Sequence, residues 1–204
     1  MKKDYLLGIL FFGSLWGLSE AALGGFLYGN HIRGASISLT VIAFMIMTFA
    51  KVYMPQKGSL IFVSATAMLY KFLNTPFFAC HLLAVFLLGV AYEIAISVFK
   101  IKNRSLLGFL ATYMGYALFA VIITYVVRYH YWAGAGSSKL IDYVGIKGTL
   151  ASLGNAICVP LSFMAASTLN ERAINPFTFR SRFATAGVSL ITLVIWIGGA
   201  AKWF

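Results

Sequence analysis

Apolar residues run through the chain in seven stretches, at roughly 5–28, 35–54, 59–75, 77–99, 105–127, 148–168 and 183–203, with polar or basic connections between them. A helix crosses the hydrocarbon of a bilayer with about 20 predominantly apolar residues. Each stretch is therefore a candidate span. The third is short and ends at Asn74-Thr75-Pro76, where proline stops a helix and restrains the residue before it. Stretches three and four are expected to form a tight helical hairpin, with a re-entrant pair as the alternative. The pattern predicts an all-α polytopic integral membrane helix bundle of about seven (six to seven) transmembrane helices. It reads as a single transmembrane domain over residues 1–204, with no tandem repeat and no soluble domain. The opening MKKDY resembles the start of a signal peptide. The apolar run from Tyr5 to Tyr28 is too long for one and no small-x-small cleavage site follows a short core, so a retained first helix is expected.

Composition agrees with that class. Hydrophobic residues make up 61% of the 204 positions and charged residues 10%, against about 25% charged in soluble domains. Cys80 and Cys158 both lie within apolar stretches with no metal-type spacing, so no disulfide framework is expected.

The net charge of +11 arises from 16 Lys and Arg against 5 Asp and Glu. The basic residues sit between the apolar runs, where they act as topology signals and lipid-headgroup contacts rather than as a nucleic-acid surface. With the N-terminus inside, ten of them fall on the inner side: Lys2, Lys3, Lys51, Lys57, Lys100, Lys102, Arg104, Arg172, Arg180 and Arg182. Five fall outside: Arg33, Arg128, Lys139, Lys147 and Lys202. This bias predicts a multi-pass protein of the cell (inner) membrane with a cytoplasmic N-terminus. The outer connection RYHYWAGAGSSKLIDYVGIK, from Arg128 to Lys147, begins with residues that settle at headgroup level and has a flexible middle. It is either an ordinary interfacial loop or a lid. The inner linker ERAINPFTFRSR is basic and aromatic, suited to the membrane surface or a cytoplasmic partner.

Ionisable groups within spans are expensive, by at least about 2.5–3.5 kcal/mol at the bilayer centre, and point to function by default. Glu20, Lys71 and Glu93 are of this kind. In the predicted topology Glu20, Lys71 and His81 share an outer layer. Asn74 is close to Lys71 at i+3, and Asn155 falls at a similar depth, with Tyr70 and Trp16 as candidate walls. This set is the candidate substrate-binding site. The competing expectation is a Glu20–Lys71 ion pair that only fixes helix packing. Glu93 lies twelve residues beyond His81 on one helix, about 18 Å deeper. It is expected to serve as a proton relay or to pair with Lys51. No GxSxG, HExxH or P-loop pattern is present. No catalytic residue, metal ligand or cofactor is therefore assigned.

Within the first stretch, GSLWGLSEAALGG places Gly13, Gly17, Ala21 and Gly25 four apart, with Glu20 on the flank. Small-xxx-small stripes let helices approach closely in lipid. These four are candidate helix-docking residues, either within the chain or toward another membrane subunit. In this stripe, and in size, basic charge and all-helical plan, the chain resembles the substrate-binding S components of energy-coupling-factor (ECF) vitamin transporters. The resemblance implies that the stripe contacts a transmembrane coupling subunit and that substrate sits near the outer face under loops, at Glu20, Lys71 and His81. The chain departs from that family in its seven stretches, where S components usually have six spans, and in lacking a vitamin-specific motif.

The expected function is an integral membrane solute-binding or transport subunit that takes a small polar ligand in the outer half of the bundle. The first alternative is a non-catalytic accessory subunit of a larger membrane complex. The second is an intramembrane lipid-modifying enzyme using Glu20 or Glu93. Expected partners are the lipid bilayer, other membrane subunits and a small polar solute, with no nucleic acid.

Overall fold

The computed structural model describes residues 3–74, 79–134, 136–171 and 182–201, and every element among them is helical. The main helices are α1 (Lys3–Gly29), α2 (Ala35–Tyr53), α3 (Ser59–Asn74), α4 (Ala79–Glu93), α5 (Arg104–Val121), α8 (Thr149–Glu171) and α9 (Arg182–Ala200). Two short helices, α6 (His130–Ala133) and α7 (Gly136–Leu140), lie between α5 and α8. The π-helical segments Ile94–Val98 and Ile122–Val126 extend α4 and α5, and Ile141–Gly148 leads into α8.

The fold is the helical membrane bundle that the apolar pattern predicts. Five helices are long and apolar enough to cross a membrane, while Ser59–Asn74 and Ala186–Ala200 are shorter apolar helices. The expected turn after Asn74 and the linker ERAINPFTFRSR fall largely outside the described residues. The outward surface is apolar along α8 and α9, where Leu153, Ile157, Leu161, Leu190 and Val194 are exposed. Such a surface suits lipid, in which apolar side chains need no cover.

Close contacts at glycines fix how the helices run. A Cβ at Gly13 would overlap Thr66 Cβ and lie 2.8 Å from the Val63 carbonyl, and one at Gly17 would lie 2.6 Å from Tyr70 Cβ. Thus α1 and α3 rise side by side, in the same direction. Gly89 meets Ser64, and Glu93, one turn on, meets the Gly58 and Leu60 amides, so α4 descends against α3. Gly108 meets the Asn155 carbonyl and Val159, while Thr112, one turn on, meets the Asn155 side chain and Gly148 meets Tyr116, so α5 and α8 pack closely as an antiparallel pair. The core between them holds Trp16, Phe44, Met47, Leu60, Val63 and Tyr92, all fully buried. Phe44 and Tyr92 stack with centroids 4.9 Å apart, and Thr48 shares a 2.8 Å hydrogen bond with the Tyr92 hydroxyl.

The two ends of the GSLWGLSEAALGG stripe have different surroundings. Gly13 and Gly17 are spent on α3, whereas Gly25 has open space around it. Docking through Gly13 and Gly17 is therefore internal to the chain, and these two positions are closed to another subunit. Gly13→Ala is expected to destabilise the protein by about 1–3 kcal/mol, because a backbone carbonyl blocks the added methyl. Gly25→Ala is expected to be neutral or mildly stabilising, since alanine is the better helix former. Thermal unfolding of the two variants in detergent checks this, and equal midpoints would contradict it.

Candidate functional site

The parallel approach of α1 and α3 builds the first site. With no Cβ at Gly17, the Tyr70 ring lies directly against the α1 backbone. Glu20, nearly one turn further along α1, then meets Lys71, the residue after Tyr70. Lys71 Nζ donates to Glu20 Oε2 at 2.7 Å, and each residue is only 8% exposed. The small-residue stripe and the carboxylate beside it are thus one device: the glycines bring the backbones close, and the flank delivers the charge.

The pair faces a cavity of about 210 Å³. Tyr28 and His81 stack on one side, with centroids 5.8 Å apart. Ser36 and Thr40 from α2 and Tyr116 from α5 supply hydroxyls, and Thr40 Oγ1 and Tyr116 Oη share a 3.1 Å hydrogen bond. Tyr131, Trp132 and Tyr143 also line the cavity. They come from the connection between α5 and α8. Trp132 is buried, packing edge-on against Phe119 at 5.2 Å and Tyr143 at 5.0 Å, while Tyr143 also meets Tyr116 at 4.9 Å. Lys139 donates to the Tyr131 carbonyl at 3.0 Å, tying the connection to itself. Tyr131, Trp132 and Tyr143 of this segment therefore form part of the cavity wall. Tyr143 sits in the π-helical segment Ile141–Gly148; such segments are frequent at functional sites.

Two expected members of this layer are elsewhere. Asn74 donates to the Tyr70 carbonyl at 2.8 Å and its amide lies beside Gly199 of α9. Asn155 donates to Thr112 Oγ1 at 2.9 Å, fully buried in the α5–α8 contact. Neither lines the cavity. Their helical faces turn them to other neighbours: Asn74 to α9, and Asn155 to Thr112 and Gly108 of α5. Trp16 is buried away from the lining, and Tyr70 uses its hydroxyl to donate to the Ile195 carbonyl at 3.0 Å, anchoring α9. Among the polar lining residues, the sequence did not single out Tyr28, Ser36, Thr40 or Tyr116. Ser36, Thr40 and Tyr116 recur within otherwise apolar helices, the one signal that could have marked them.

The second buried charge lies at the opposite end of the bundle. Glu93 closes α4, where Lys51 Nζ donates to its two oxygens at 2.9 and 3.1 Å. The Gly58 amide donates to Oε1 at 2.9 Å and the Leu60 amide to Oε2 at 3.2 Å. The Ser97 hydroxyl donates as well. Glu93 is thus an ion-pair partner and a cap for the amides at the start of α3 that have no intrahelical acceptor. Both oxygens are occupied by fixed donors, an arrangement that suits a structural clamp. Of the two roles expected for Glu93, the pairing with Lys51 is the one seen in these contacts.

No known protein family, curated protein or solved structure matches this chain. Among the described residues, no group of three or more His, Cys, Asp or Glu converges as a metal set would.

Proposed function

We propose that this chain is an integral membrane binding or transport subunit that holds a small polar solute in the Glu20–Lys71 cavity. The observation that carries the reading is the cavity's wall. It is an apolar, aromatic chamber with one buried ion pair and a few converging hydroxyls, the composition of a small-molecule pocket. At about 210 Å³ it is smaller than the roughly 300–1,000 Å³ typical of drug-sized ligands, so the solute is small. Stacked rings on several sides favour a solute with a planar part, and the ion pair offers one donor and one acceptor of full charge. The 128–147 connection acts as the cover, and the cavity end is the outer face in the topology that the basic residues favour. An S-component-like role, with uptake energy supplied by a partner, would need a docking surface other than Gly13 and Gly17, which α3 covers.

Native mass spectrometry of the protein, extracted gently from its own membrane, tests the reading. A small polar molecule retained in stoichiometric amount is the expected result. A stoichiometric polypeptide partner with no small molecule would instead favour the accessory subunit. The docking surface would then have to lie outside Gly13 and Gly17, which α3 already covers.

A further inference from the structure

A second cavity, of about 540 Å³, opens at the Glu93 end. Its lining includes Lys57, Lys100, Lys102 and Arg104, with Ile96 and Phe163 among its apolar walls, and no Asp or Glu lines it. Lys51 also reaches it, but that charge is matched by Glu93. The three ion pairs among the described residues, Lys51–Glu93, Lys71–Glu20 and Lys147–Asp142, take none of the other four cations.

These cations come from two separate connections. Lys57 belongs to the α2–α3 turn, while Lys100 and Lys102 belong to the segment joining the π-helical end of α4 to α5. Lys100 is held at φ +52°, a left-handed conformation that is unfavourable for a residue with a Cβ. Arg104 stacks its guanidinium on the Phe163 ring at 3.7 Å, which fixes the fork at the cavity wall. Four like charges around one concave space repel each other unless an anion joins them. Surface lysines that only mark topology do not need to converge on a cavity.

We propose that this cleft binds a phosphate-bearing anion. Converging lysines neutralise phosphate as point charges, and an arginine fork matches its oxygens. Two sources carry that chemistry: the headgroup of an anionic phospholipid and a soluble phosphate compound. The headgroup fits better, because apolar walls lie beside the cations at the end of the bundle where acyl chains would continue. Basic pockets between membrane helices bind anionic headgroups in this manner. The site is independent of the Glu20–Lys71 cavity, so it stands or falls separately.

The test uses the full chain in neutral detergent, with dioctanoyl phosphatidylglycerol, dioctanoyl phosphatidylcholine and inorganic pyrophosphate as probes, read by native mass spectrometry. The variant is Lys57→Gln/Lys100→Asn/Lys102→Gln, all at exposed positions, with asparagine chosen because it tolerates the left-handed backbone. The wild type is expected to prefer phosphatidylglycerol over phosphatidylcholine, and the variant to lose that preference by on the order of 100-fold, at about fivefold per lysine. Arg33→Gln/Arg128→Gln, at the other end, should keep it. Pyrophosphate binding that is lost in the cleft variant, with no lipid preference, assigns the site to a soluble phosphate compound. Should the triple variant not fold, Lys102→Gln alone carries the test, with an expected loss of about fivefold. A wild type indifferent to all three probes would overturn the proposal. So would a cleft variant that keeps the full preference, or an equal loss from the Arg33 and Arg128 changes.

Discussion

Glu93→Ala is expected to destabilise the protein by about 3–5 kcal/mol, the range for removing one partner of a buried ion pair. The environment explains the size. Glu93 is 4% exposed and receives donors from Lys51, Gly58, Leu60 and Ser97. Without it, the Lys51 ammonium keeps only the Gln56 carbonyl at 2.9 Å and a long contact of 3.5 Å to Ser59 Oγ. The amides at the start of α3 lose their acceptor, and an unsatisfied buried donor costs about 1–3 kcal/mol by itself. Lys51→Met should be milder, because the carboxylate keeps the two amides and the Ser97 hydroxyl. Glu93→Gln should fall between them, since its amide group turns a donor toward donors. The paired replacement Lys51→Met/Glu93→Leu should recover the part of the loss that comes from the stranded ammonium but not the part that comes from the Gly58 and Leu60 amides, which still lack an acceptor. Unfolding in mixed detergent–SDS micelles, followed by circular dichroism, reads all four. A Glu93→Ala variant within about 0.5 kcal/mol of wild type would show that the clamp carries no stability, a surface-like result.

The extent to which this arrangement can be read from sequence differs by feature. The helices were legible because apolar length is a one-dimensional signal: the seven stretches coincide with α1 to α5, α8 and α9 to within about three residues once the π-helical extensions of α4 and α5 are included. The Lys51–Glu93 partnership was also legible, since both charges fall near the same end of adjacent helices. The Gly58 and Leu60 amides were not, because backbone donors leave no mark in a residue string. Asn74 and Asn155 show the limit of depth arguments. Position along a helix gives the level, but a few tens of degrees of rotation decide whether a side chain meets the cavity or a neighbouring helix. The π-helical segments have no distinctive composition either, so the placement of Tyr143 over the cavity could not be foreseen. The 128–147 connection read as flexible from AGAGSS, yet its aromatic residues on either side pack on Phe119 and Tyr116. There, burial of Trp132 overrides the local glycine signal.

The Glu20–Lys71 pair is where binding and packing can be separated. A charge-assisted hydrogen bond to a ligand contributes about 1.5–3 kcal/mol, so Glu20→Gln is expected to weaken solute binding by roughly 10- to 150-fold. Lys71→Met should do the same for the acidic part of the solute. Each single change also leaves its partner's charge buried in the α1–α3 contact, so each should lower stability. The double replacement Glu20→Gln/Lys71→Met removes both charges and should restore most of that stability. Binding should behave differently: a solute that needs either charge finds neither, and affinity stays lost in the double variant. Stability recovered with binding still absent therefore assigns the pair to the site. Stability recovered together with normal affinity would assign it to packing alone, and the solute-binding reading of the cavity would then fail. The comparison needs only the purified chain and the molecule that native mass spectrometry finds bound to it. The two readouts diverge because packing is relieved when both charges leave together, whereas recognition needs a charge to remain.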